Sequence, residues 1–335
     1  MVSMKQIAEL CGVSVATVSK ALSGQKDIST DTREMVRRKA EALGYMANSA
    51  ARTLKTNRSY NLGVLFEDMG GLGFTHEFFA SVLEGFKTEA ASRGYDISFI
   101  SKSLIDRSST YLQHCNYRGF DGVGIICVNF FDGDVLELIR SGIPVATVDH
   151  IFNNSMSVIS DNVNGVETLV RHAYEKGHRK IAFIHGDDTS VTQNRLTGYY
   201  RACETLGIEV EPRYIKAGRY YDADSSYAAA WELITDADRP SCILFPDDFS
   251  LIGGIRAINA AGLRVPDDIS VMGYDGIIVS QVMSPRITTY RQNAKLIGRT
   301  AAAKLIELID HPNTTVFDRS IIEGEFIEGE SVRQL

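Results

Sequence analysis

The sequence has no apolar run approaching the ~18 residues that a membrane span needs. Met1 to Lys5 lead into mixed polar and apolar residues without an apolar stretch of secretory-leader length, so no leader and no membrane contact are expected. Cysteine is scarce: Cys11, Cys115, Cys127, Cys203 and Cys242 are odd in number, widely spaced and free of any C-x-x-C pair. That spacing disfavours a disulfide framework and a zinc site alike, and the five are read as small buried hydrophobes in a reducing cytoplasm. Proline is also scarce, at 7 against 28 Gly, and with 44% hydrophobic and 23% charged residues the balance excludes wholesale disorder or a fibre. Signatures of catalysis are missing too. No G-x-S-x-G or P-loop occurs, and Gly122-Val123-Gly124 is a two-glycine fragment of a dinucleotide fingerprint inside a strand. The histidines are scattered, and the closest, His172 and His178, lack the spacing of a metal-binding helix pair. No enzyme, cofactor or metal site is expected.

What is present is a division of charge. The net charge is −7, yet residues 1–59 carry ten Lys and Arg against five acids, a balance of +5 that leaves −12 on the remainder. A basic head on an acidic body is the asymmetry of a chain that meets a polyanion at one end. At 335 residues, two or three domains are expected.

In the head, Ile7, Ala8, Leu10 and Cys11 fall at helical spacing before Gly12 breaks the run. Ser14 then stands as the N-cap of a second helix through Val15, Val18, Ala21 and Leu22. A third helix spans about Asp31 to Leu43. Two short helices joined by a tight glycine turn read as helix-turn-helix, with Ala8 at the crossing and Val18 plugging the angle. Periodicity alone is equally compatible with a small helical bundle whose basic residues are merely solvated.

The run Ser14-Val15-Ala16-Thr17-Val18-Ser19-Lys20-Ala21-Leu22, followed by Leu43-Gly44-Tyr45 and by Asn48 to Thr56, closely resembles the DNA-binding headpiece and hinge of LacI/GalR-family transcription regulators. The resemblance implies that Val15, Ala16 and Lys20 meet base edges in the major groove. Val15 and Ala16 offer apolar contact to a thymine methyl, and Lys20 can donate to guanine acceptors. Ser14, Thr17 and Ser19 suit phosphate contacts or capping. In the hinge, the resemblance implies helix formation when two copies meet in the minor groove, with Asn48, Ala51 and Lys55 contributing and Leu54 as the wedge. On residues alone, Leu54 reads as an ordinary linker residue.

From Tyr60 the chain alternates strands with helices. Candidate strands are 61–66, 95–100, 122–128, 144–148, 180–185, 241–245 and 270–273, and candidate helices are 77–92, 162–176, 192–206, 249–261 and 293–310. This pattern means parallel sheets covered on both faces, and the size calls for two similar subdomains. Lys176 to Ile184, Asn194 to Tyr199 and Gly262 to Asp275 continue the resemblance. The fold expected is therefore an N-terminal all-α helix-turn-helix headpiece with an α/β two-subdomain body like type I periplasmic binding proteins. We divide it as 1–47 headpiece, 48–59 hinge and 60–335 effector-binding and dimerisation domain. Subdomain 1 covers about 60–160 and 291–320, and subdomain 2 about 161–290 and 321–335, with crossovers near 160, 290 and 320.

Open α/β sheets bind ligands beyond the carboxyl ends of their strands. That rule selects Asp149, Asp247, Asp248 and Asp275, with Arg195 on the helix after His185. A sugar needs carboxylates and a guanidinium fork for its hydroxyls and an aromatic face for its C–H surface. The resemblance points to Arg195, Asp247, Asp275 and Tyr221, with Asp149 beside them and His76 and Phe78 walling the other side. Asp248 reads better as the cap of a helix beginning at Phe249. The run Asp68 to Thr75 is longer than the loop the resemblance implies there.

These readings converge on a cytoplasmic homodimeric repressor. It would bind a pseudo-palindromic double-stranded operator under control of a small-molecule effector, a sugar. The alternatives are a catabolite-control regulator governed by a protein partner and a co-repressor-dependent regulator of nucleobase type. A periplasmic receptor shares the body but has no use for the basic head.

Overall fold

The computed structural model describes residues 2–23, 25, 27–45, 58–67, 71, 73–102 and 109–335. The chain divides into two compact units, 1–59 and 60–335.

The head is built from short helices, each started by a serine. Ser3 caps α1 (Met4–Cys11) in a capping box with Gln6, Ser14 caps α2 (Val15–Leu22) and Ser29 caps α3 (Thr30–Ala42). Gly12 stops α1 with φ +64°, the left-handed conformation that favours glycine. Ile7, Ala8, Val18, Ala21, Val36 and Ala40 are buried together at the crossing. This core is small, and the three caps, each worth about 1 kcal/mol, are a substantial share of the head's stability.

In the body, β1 (Asn61–Phe66), α4 (Glu77–Ser92), β2 (Asp96–Phe99), α5 (Tyr111–Arg118), β3 (Gly122–Cys127), α6 (Gly133–Arg140), β4 (Val145–Val148) and β5 (Met156–Ser160) begin the first lobe. The chain then runs through α7 (Asn162–Glu175), β6 (Ile181–His185), α8 (Ser190–Leu206), β7 (Ile215–Ala217), α9 (Ala223–Thr235), β8 (Cys242–Leu244), α10 (Leu251–Ala260), β9 (Ser270–Asp275), α11 (Ile278–Val282) and β10 (Thr288–Arg291) in the second. It returns through α12 (Ala294–Asp310) and β11 (Arg319–Ile322) to the first lobe and ends on β12 (Glu325–Ile327) in the second. The sheets run β11-β5-β4-β3-β1-β2 and β12-β10-β9-β8-β6-β7, parallel except for β12. The lobes are therefore joined by three short connections, after Ser160, Arg291 and Ile322.

Strand alternation builds both faces of each sheet. In β6, Ile181 and Phe183 pack with Val166, Leu169 and Tyr199, whereas Ala182 and Ile184 pack with Leu233, Ile243 and Ile258. Each fully buried Ile or Phe of this kind contributes roughly 1.5–3 kcal/mol. In the first lobe α12 lies along α4. A side chain at Gly85 would strike the Lys295 carbonyl and one at Gly298 the Val82 carbonyl, so these glycines let the two backbones touch.

Five strands, β5, β7, β10, β11 and β12, lie outside the runs read as strands. They are three to five residues long, and β7, β11 and β12 are only partly buried, so no long β-branched run marks them. Among the described residues no helix is long and apolar enough to cross a membrane.

Candidate functional site

The head presents α2 outward. Ser14, Val15, Ala16 and Lys20 are exposed, Thr17 and Ser19 half-buried, and Val18 fully buried beneath them. Ser14 is an actual cap: its Oγ accepts from the Thr17 amide at 3.0 Å and lies 2.9 Å from the Thr17 hydroxyl. Val15 leaves 46% of its surface exposed, as Leu10 and Met35 of the same head leave 57% and 42%. Asn48, Ala51, Leu54 and Lys55 lie outside the described residues.

In the body, the carboxyl ends of β4, β8 and β9 and the start of α8 converge at the junction of the lobes. Arg195 is the centre and is almost fully buried. Its Nε donates to Asn162 Oδ1 at 2.8 Å and its Nη1 to the Pro246 carbonyl at 2.6 Å. Nη2 lies 3.7 Å from Asp275 Oδ1, and the guanidinium stacks 3.6 Å above the Tyr274 ring. Asp275 also accepts from Gln292 Nε2 at 2.6 Å and from the Tyr221 hydroxyl at 3.3 Å.

The other acids are used differently. Asp247 accepts from the Tyr221 amide at 2.8 Å and from both the amide and hydroxyl of Ser250, at 2.7 and 2.8 Å. Its oxygens are thus engaged in holding the Tyr221 turn. Asp248 does not cap a helix from Phe249. The helix starts at Leu251, and Asp248 instead accepts from Thr289 Oγ1 at 2.8 Å and the Ile277 amide at 3.0 Å. It ties β8 to β10 and to the turn after β9, a tertiary role that a local capping pattern cannot reveal. Among the described residues Asp149 accepts one such bond, from the Ser160 amide at 3.2 Å.

Burial sets the electrostatics. It pushes the Asp149 carboxyl up to about 6, against the downward pull of the Ser160 amide and Arg195, with Asp275 adding to the rise. Burial and the Asp275 charge raise Asp247 to about 7 despite the bonds from Ser250 and Tyr221. Burial, helped by the charge of Asp275, also raises Asp248. One guanidinium thus faces a surplus of carboxyl groups.

The first lobe supplies His76, whose ring stacks on Tyr221 at 3.4 Å, and Phe249 lies 5.6 Å from the same tyrosine in nearly parallel orientation. Tyr221 is therefore covered by aromatic neighbours and does not present a bare face. Phe78 is buried in the first-lobe core with Val82 and Phe86. Glu77 reaches across the cleft, accepting from the Ile278 amide at 3.0 and 3.2 Å.

The residues missed in the sequence are Asn162, Gln292, Tyr274 and Ser160. Asn162 and Gln292 follow β5 and β10, the unread strands where the chain changes lobe. The run Thr288-Thr289-Tyr290, β-branched and aromatic after Pro285, was the available signal. Ser160 Oγ, Tyr274 OH and Gln292 Oε1 are buried without a hydrogen-bond partner among the described residues. Four non-glycine residues have left-handed backbones among the described residues, and three of them are Asp149 (φ 58°), Tyr221 (φ 54°) and Asp275 (φ 97°). Left-handed backbone thus gathers around Arg195, and some of the buried unpartnered polar atoms of the described residues lie beside it. Such an arrangement can hold a polyhydroxylated molecule: carboxylates accept from its hydroxyls, and Arg195 donates to them. No metal-binding group of His, Cys, Asp and Glu occurs among the described residues.

Comparison with known proteins bears on both regions. Residues 3–48 match the family described as bacterial regulatory proteins, lacI family, and residues 170–332 match the periplasmic binding protein-like domain. The chain is 31% identical over 339 residues to the probable HTH-type transcriptional repressor ExuR of Bacillus subtilis, covering 100% of this chain and 99% of the relative. It is 29% identical to the ribose operon repressor of Haemophilus influenzae over 100% of both chains. A solved complex of the transcriptional regulator CelR with cellobiose matches at TM-score 0.71 and 26% identity, over 99% of this chain and 100% of the other. The Lac repressor dimer bound to operator and the anti-inducer ONPF shares the fold at TM-score 0.80 and 23% identity, over 99% of each.

Proposed function

This chain belongs to the LacI family of bacterial regulatory proteins, and from that premise we propose how its two regions divide the work of a transcriptional repressor. The head binds operator DNA, with α2 in the major groove. Val15, Ala16 and Lys20 read base edges there, and Ser14, Thr17 and Ser19 position the helix. The segment 48–59 carries the minor-groove contacts, with Leu54 as wedge and Asn48, Ala51 and Lys55 beside it. Two copies act together as a homodimer in the cytoplasm, so the operator is pseudo-palindromic.

The effector is a small polyhydroxylated molecule, a sugar, held between the lobes by Arg195, Asp275 and Asp149. Gln292, Tyr274 and Ser160 offer further polar atoms, and His76 and Tyr221 close over it, with Asp247 holding the Tyr221 turn. The observation that carries this reading is the gathering of left-handed backbone around one buried arginine, with unpartnered polar atoms beside it. Three of the four left-handed non-glycine residues described surround a buried arginine whose neighbours hold unsatisfied groups. A ligand hydroxyl network would satisfy those groups, and it controls DNA binding only through its differential affinity for two lobe arrangements.

The test uses the full-length protein. A randomised duplex library selects the operator, and a panel of mono- and disaccharides, sugar acids and nucleobases is screened by thermal shift. A ligand at 100 times its dissociation constant adds about 2.7 kcal/mol to stability. The expected hit is a neutral sugar that also changes operator affinity, and Leu54→Ala should weaken operator binding without altering that hit. Failure to select any sequence, or a hit indifferent to Arg195→Lys and Asp275→Asn, would overturn the reading.

A further inference from the structure

Lys20 is the sole charged residue of α2, and its ammonium is already engaged: Nζ lies 2.6 Å from Asp27 Oδ2. Asp27 sits in the connection between α2 and α3. The described part of that connection is anchored, because the Gln25 amide donates to the Lys20 carbonyl at 3.1 Å. Arg33 Nη2 donates to the carbonyls of Gln25 at 2.9 Å and Ile28 at 3.2 Å. The carboxylate is thus presented to Lys20 from backbone fixed on both sides. Both side chains of the pair are about half exposed, at 46% and 54%, so the pair adds little to stability. Its consequence is directional.

We infer that Asp27 determines DNA-reading specificity as a positioning residue that acts through Lys20. The inference rests on α2 entering the major groove as proposed above. A free lysine is a point charge on a flexible four-carbon stem, and it reaches a phosphate as readily as a base edge. With one donor committed to Asp27, the ammonium is confined, and its remaining donors can be directed at paired acceptors such as guanine O6 and N7. The carboxylate also opposes the phosphates, and non-specific affinity is almost wholly electrostatic. Asp27 therefore lowers affinity for every duplex, and lowers it least where Lys20 finds its base. Specificity is that difference.

The experiment measures binding of the full chain to two duplexes, the sequence selected by the wild type and a scrambled duplex of the same composition. Asp27→Asn should bind the scrambled duplex about 3–10-fold tighter, with a salt slope steeper by about one. The selected duplex should change less than about 3-fold, with the lost discrimination concentrated at one base pair per half-site. Asp27→Glu, which keeps the charge, should retain the wild-type salt slope. In a Lys20→Met background, Asp27→Asn should leave the ratio between duplexes unchanged. An unaltered ratio in Asp27→Asn, or an equal loss of ratio with and without Lys20, would overturn the inference. If the wild type selects no sequence, the reading beneath it fails first, whereas a selected sequence with an indifferent Asp27 defeats this inference alone.

Discussion

Among the described residues of the head, the polar side chains assigned to DNA are exposed or half-buried, and Ser14 and Lys20 have partners nearby in sequence. Ser14 bonds Thr17 three residues on, and Lys20 bonds Asp27 seven residues on. In the cleft of the body Arg195, Asp247, Asp248 and Asp275 are buried, and most of their partners are far away along the chain. Arg195 reaches Asn162, Pro246 and Asp275, and Asp248 reaches Thr289 and Ile277. The contrast has an energetic meaning. The exposed Lys20–Asp27 pair can be replaced at little cost to the fold, so base reading through Lys20 is separable from stability, whereas Ser14 serves as a helix cap as well. A buried, distantly satisfied group holds the protein together while it binds, so cleft function and body stability change together.

Four substitutions sharpen or break that comparison. The largest effect is expected from Arg195→Ala. Removing one partner of a buried ion pair leaves carboxylates without their cation and should destabilise the body by about 3–5 kcal/mol. Calorimetry on the full chain should show the body transition fall while the head transition stays. A loss below 1 kcal/mol would mean that the cleft charges are better solvated than their burial indicates.

Next, Ile7→Ala removes one of six buried residues in the head core and should cost about 2–5 kcal/mol. The head should melt with the body untouched, and loss of operator binding should track head unfolding. A simultaneous fall of both transitions would contradict this expectation.

Asp149→Asn should act in the opposite direction. With its carboxyl raised from 3.8 to about 6 by burial, the folded protein holds a proton that the unfolded chain has already released. Stability therefore falls as pH rises from about 4 to 6, and above that the penalty is of order 2–3 kcal/mol. The asparagine variant should be more stable than the wild type by about that amount at pH 7–8 and by almost nothing at pH 4, while binding effector more weakly. Urea denaturation at a series of pH values reads this directly, and a pH-independent difference would refute the charge-burial origin.

The smallest effect is expected from Ser14→Ala. Loss of the α2 cap should cost the head about 1 kcal/mol and weaken operator binding, with the body and its effector affinity unchanged.

The same contrast explains what could be read in advance. The head was legible because its determinants are local: serine caps, a glycine stop and apolar residues at helical spacing, all within a few residues of one another. The long helices α4, α7, α8 and α12 were legible from periodicity for the same reason. At the cleft, Arg195, Asp275 and Asp149 could be placed from their positions after strands, because the carboxyl ends of parallel strands share one edge. Asn162 and Gln292 could not, since their importance arises from the chain changing lobe beside them. Asp248 shows the limit of local reading most clearly. Its sequence position suggests a cap, yet its partners lie 41 and 29 residues away. The stacking of His76 on Tyr221 is hidden from local reading in the same way, because it depends on a residue of the other lobe.

The most direct test of the central claim, that the cleft controls the head, is reciprocity. Operator affinity is measured by fluorescence anisotropy with and without the saturating small molecule, and affinity for that molecule by calorimetry with and without operator. Linkage requires the same factor in both directions, and a coupling of about 1–3 kcal/mol, or 5–150-fold, is expected, with Asp275→Asn reducing it in both. A molecule that binds the body tightly yet leaves operator affinity unchanged in both measurements would contradict the account.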